Sequence, residues 1–118
     1  KLANHVAAIP GIASVFLRRT GGKPPEAETK ADLLAVFDKN VHDCREQLAT
    51  MNEDRLAGNM LVNPGVEKPV WEVLRGRGLM NHLIHHRGQL SLYLRMLGEA
   101  VPGPYGPSAD ENTPARTS

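Results

Sequence analysis

Aromatic residues are nearly absent. Phe, Trp and Tyr together make up 4% of the chain, so a core must be filled by Leu, Val, Ile, Ala and Met. Cysteine occurs once, at Cys44, which excludes an intrachain disulfide and fits a reducing compartment. There is no excess of either charge. Lys and Arg total 14, Asp and Glu 13, for a net charge of +1. Binding of nucleic acid by phosphate neutralisation needs a basic excess, so that class is excluded. No apolar run approaches the roughly 20 residues of a membrane span, and no signal peptide is visible. These absences lead us to expect a soluble, cytoplasmic protein with no nucleic-acid or membrane partner. A start is lacking too. "KLANHVAAI" is in helical register from Lys1 with no N-cap before it, which leads us to expect residues upstream.

What is present suits one globular domain. The chain has 118 residues, 41% of them hydrophobic, enough for a single core. Leu2, Val6, Ile9, Ala13 and Phe16 recur at helical spacing and define a first helix. Pro10 lies inside it, removes a donor and tends to kink it. "TGGKPPEAE" then interrupts the chain. A second helix follows Thr29, a plausible N-cap, with Leu33, Phe37, Val41, Cys44, Leu48 and Met51 on one face. The stretch from Asn52 to Lys68 reads as a long link, with a turn at "NPG". A third helix starts around Pro69 or a turn or two later and runs to Gly98, with a break possible at Gly76 and Gly78. We place a helical bundle at residues 1–101. The Pro- and Gly-rich residues 102–118 read as an extended tail.

Three of the five histidines fall inside "NHLIHHRGQLSLYLRMLG". His82 and His86 are four residues apart, so on a helix they share a face and can grip one ion. HxxxH alone is a weak signal, and the glutamate of HExxH is missing. His5 borders the apolar stripe of the first helix. In an up-and-down bundle the first and third helices run parallel, and depth is then counted from their C-terminal ends. His5 lies roughly 14 residues, about 21 Å, before the end of its helix near Arg19, and the HxxxH pair averages about the same. All three imidazoles can then meet at one level. Three histidines with no fourth protein ligand make an open site, suited to zinc or nickel. The alternative is a plain helical interaction domain with hydrogen-bonded core histidines. His85 points about a quarter-turn away and reads as a supporting contact. Gln89 and Tyr93 follow on the same helix as candidates to face a substrate or orient a ligand. His42 and Cys44 read as a boundary residue and an inert buried thiol. No catalytic residue can be assigned.

The run "NHLIHHRGQLSLYLRMLG" with the tail "VPGPYGPSADE" resembles the C-terminal signature of the DinB family of metalloenzymes. "LANHVAAIPG" resembles that family's second-helix motif, a histidine followed five residues later by proline. The resemblance implies an all-α, four-helix bundle holding a divalent metal on three histidines, which fall here on His5, His82 and His86. It also implies that this chain carries the last three helices and lacks the first. Relatives include thiol-dependent transferases and isomerases, so a low-molecular-weight thiol and a small-molecule substrate are implied. The expectation is a metal-dependent transferase or hydrolase. The other is a non-catalytic metal-binding or stress-response module acting as a homodimer.

Overall fold

A computed structural model describes residues 1–18 and 26–111. The break read at residues 20–25 and the end of the tail at residues 112–118 lie outside them. The described chain forms α1 (Leu2–Arg18), α2 (Lys30–Ala49), α3 (Glu53–Ala57), β1 (Asn59–Asn63), β2 (Val66–Pro69), α4 (Val70–Arg75) and α5 (Met80–Met96). It divides into two compact units, Lys1–Arg87 and Gly88–Ser118.

In the first unit, α1 packs on α2. Ala7, Ala8, Ile9, Ala13 and Ser14 of α1 are buried, with Asn40 and Cys44 from α2. Small residues at these positions let the two backbones approach. α1 continues through Pro10, which is itself buried. Asn40 donates from Nδ2 to the Ala7 carbonyl at 2.8 Å, so this buried amide has a partner. Asn4 holds the chain just before α2. Its Nδ2 donates to the Ala27 carbonyl at 3.0 Å, and its Oδ1 accepts from the Ala27 N–H at 2.9 Å. Thr29 caps α2, its Oγ1 accepting from the Asp32 N–H at 3.1 Å. Asn52 caps α3 in the same way through the Arg55 N–H at 2.8 Å.

Directions follow from neighbours along the chain. Asn40 meets Ala7 near the start of α1. Met51, just past α2, shares a cavity with Phe16, Leu17 and Arg18 at the end of α1. The two helices therefore run in the same sense, as no up-and-down hairpin does.

Two expectations about the fold are corrected. The chain is not all-α. The stretch read as a link folds into α3 and an antiparallel hairpin, with Asn59 opposite Pro69, Met60 opposite Lys68 and Leu61 opposite Glu67. The "NPG" turn closes it, Pro64 setting one dihedral and Gly65 taking φ 75° at the next position. The expectation of an absent first helix is not borne out among the described residues, whose elements open with α1, a 17-residue helix over Leu2–Arg18. The third helical stretch is also divided, ending as α4 at Arg75 and resuming as α5 at Met80.

The second unit contains the rest of α5 and the tail. α5 ends in a Schellman motif. Gly98 sits at φ 82°, its N–H bonds to the Arg95 carbonyl, and the Glu99 N–H bonds to the Leu94 carbonyl. The tail to residue 111 has no regular secondary structure and is tied by its own polar groups. Asp110 pairs with Arg95 at 2.8 Å and accepts from the Val101 N–H at 3.2 Å. Glu111 accepts from the N–H groups of Gly103 at 3.1 Å and Ser108 at 2.7 Å. Val101 is buried, while Tyr105 is exposed.

Candidate metal centre

The turn between α4 and α5 sets the entry of α5. Gly76 caps α4, and the Gly78 N–H donates to the Val73 carbonyl at 2.8 Å. A Cβ at Gly78 would lie 2.7 Å from that carbonyl oxygen and 2.9 Å from Val73 Cγ1. This glycine is therefore required by close approach, where the sequence reading saw only a weakened helix. Gly78→Ala is expected to lower stability by about 1–3 kcal/mol, read as a drop in the urea midpoint. An unchanged midpoint would show that the turn has room to relax.

From this turn α5 brings His82 and His86 against His5 of α1. One imidazole nitrogen from each of the three lies within 4.8 Å of the other two, and all three residues are half-buried. His5 Nε2 and His82 Nε2 are 3.0 Å apart. Ring centroids are separated by 5.0 Å for His5–His82, 4.4 Å for His5–His86 and 4.9 Å for His82–His86. The planes cross at 62°, 86° and 61°, so the rings meet edge to face and do not stack.

The donor set fits a divalent ion. Bonds of about 2.0–2.1 Å place two nitrogens about 3.3 Å apart at tetrahedral angles and about 2.9 Å apart at right angles. The 3.0 Å spacing of the two Nε2 atoms falls within that range. Binding requires neutral imidazole. Burial holds the His82 pKa below its ordinary 6.5, the neighbouring His5 and His86 adding to the effect. A hydrogen bond to the Arg77 backbone partly opposes the shift, and such a contact also orients a ligating ring. No carboxylate or thiol joins the group among the described residues. An ion bound by three neutral ligands keeps its full charge.

The other candidates are placed differently. His85 is exposed and stands edge-on to His86, with centroids 4.8 Å apart. Gln89 and Tyr93 belong to the second unit, and both are exposed. His42 is exposed and lies 3.3 Å from Glu46. Cys44 is buried in α2, and burial pushes its thiol pKa up. It is therefore expected to resist a disulfide-exchange reagent in the folded protein and to react fully in denaturant. Fast native reaction would contradict that burial. Arg77 was not singled out from the sequence. It lies in the turn, where no periodic pattern marks it.

Among the described residues, no helix is long and apolar enough to cross a membrane. A family model described as the DinB family matches residues 2–117. Over 33 residues the chain is 48% identical to the uncharacterized protein YrdA of Bacillus subtilis (strain 168), a match that covers 28% of this chain and 20% of that protein. No solved structure matches the chain.

Proposed function

The chain belongs to the DinB family, and from that membership together with the histidine cluster we propose a metal-dependent enzyme of the transferase or hydrolase kind. His5, His82 and His86 hold the ion, zinc or nickel, and leave coordination positions open. The observation that carries this reading is the convergence of three imidazoles with, among the described residues, no carboxylate or thiol joining them. A divalent ion on neutral ligands acts as a Lewis acid and lowers the pKa of water or of a thiol brought to it. A low-molecular-weight thiol is the proposed co-substrate.

This chain's residues supply the placement. His82 is held neutral by burial and presents Nε2 toward His5. His86 completes the cluster from the next turn of α5, and His85 packs on the outside of the His86 ring. Cys44, buried and protonated, is not the nucleophile.

The experiment is metal analysis of untagged protein, followed by turnover of a panel of small electrophiles with and without added thiol. About one equivalent of metal and thiol-dependent turnover support the reading. Metal well below one equivalent after loading overturns it. A second reading is a non-catalytic metal-binding or stress-response module acting as a homodimer. It is favoured by the exposure of Leu92, Met96 and Leu97 within the second unit. A dimer in sedimentation, with no turnover of any electrophile by metal-loaded protein, would favour it over the first.

A further inference from the structure

The first unit contains a cavity of about 730 Å³ that the histidine cluster does not account for. Its apolar lining comes from three elements: Ile12 and Phe16 of α1, Val62 and Val66 of the hairpin, and Trp71 and Val73 of α4. A mostly apolar cleft of this size with a few polar groups is the usual form of a small-molecule site. Its charged groups are mainly of one sign. Lys68, Arg75 and Arg77 line it against one carboxylate, Glu72. Lys68 and Glu72 are ion-paired with each other. Arg75 and Arg77 remain, both exposed, with no ion pair to either among the described residues. His82 borders the same cavity.

Guanidinium groups beside an apolar wall select for a particular kind of ligand. A neutral apolar molecule would leave both cations unused, and a cationic one would be repelled. A carboxylate can take two parallel hydrogen bonds from one guanidinium. We propose that this cavity binds a small molecule with an apolar body and one anionic group. The body lies among Phe16, Val62 and Trp71, and the anionic group sits at Arg75 and Arg77. The assignment deepens the metal-dependent reading by naming the class of molecule presented beside His82. It rests on that reading for the fate of the ligand and not for its binding.

Trp71 is the chain's single tryptophan and lines the cavity, so its fluorescence reports occupancy. Octanoate, octanol and octylammonium are titrated into the full chain at one ionic strength, first metal-free and then zinc-loaded. Octanoate is expected to give a saturable change at a concentration at least about tenfold lower than octanol, as one charge-assisted contact provides. Octylammonium is expected not to saturate. The double variant Arg75→Gln/Arg77→Gln is expected to bring octanoate to within about twofold of octanol, while octanol binding persists and shows that the fold is intact. Octanol or octylammonium binding as tightly as octanoate overturns the proposal, as does a silent Trp71 or a preference that survives the double variant. The two readings fail separately. Protein that takes no zinc but selects octanoate keeps this site and loses the metal centre, and the opposite result does the reverse.

Discussion

His82→Ala is expected to weaken zinc or nickel binding by about 100-fold or more, measured by competition with a chromophoric chelator. Second-shell partners alone are commonly worth 10–100-fold in metal affinity, and loss of one of three ligands exceeds that. His82 is the residue to test first because its Nε2 lies 3.0 Å from that of His5, a spacing that one ion bound by both would set. The fold should survive, since His82 is only half-buried and alanine is the better helix former. His85→Ala is the matched control. It removes an exposed imidazole from the same helix, and affinity should stay within about threefold. Equal losses in the two variants would mean that the ion is held by a loose histidine patch and not by the three-residue cluster.

Ile9→Ala is expected to cost about 2–5 kcal/mol of stability, the usual range for emptying a buried aliphatic site. Ile9 has 0% exposure and lies in α1 one helical turn from His5, where α1 packs on α2. Its neighbours Ala7, Ala8 and Ala13 are too small to refill the space. For a unit of this size the loss corresponds to a fall of about ten degrees or more in Tm. Phe16→Ala, on the same apolar stripe but 45% exposed, should cost clearly less. A smaller effect at Ile9 than at Phe16 would show that the core lies elsewhere. Metal affinity of the Ile9 variant, measured well below its melting temperature, should change far less than its stability.

The parts of this molecule written in local periodic patterns were legible. α1 and α2 follow from stripes of apolar residues, and the end of α5 follows from Gly98, which needs φ 82°. The hairpin was not legible, because its strands span only five and four residues and just Met60 is buried. Too little alternation remains to separate such strands from a loop. The "NPG" turn was read as a turn, but nothing local says that its flanks pair. The histidine cluster was legible from HxxxH and from the family motif. The depth count reached the same three residues from an up-and-down bundle, although α1 and α2 run in the same sense and do not form its first hairpin. The cavity was invisible in the sequence, since its wall is drawn from the end of α1, the hairpin and α4. Arg75 and Arg77 look like ordinary surface charges until that wall is seen beside them.

The contact between His5 and His82 spans 77 residues of chain. Closing a flexible loop of that length costs about 4 kcal/mol in chain entropy beyond a constant. Local pieces such as the hairpin and the caps of α2 and α3 carry no such cost, so they can form first, with the histidines meeting late. Anything that bridges these rings then acts mainly on the rate at which the folded chain opens, leaving the rate of folding nearly unchanged. The start of α5 becomes a clasp fastened after the garment is on. Its grip lengthens the lifetime of the closed state, read by hydrogen exchange along residues 80–87, and raises the unfolding midpoint by the same free energy.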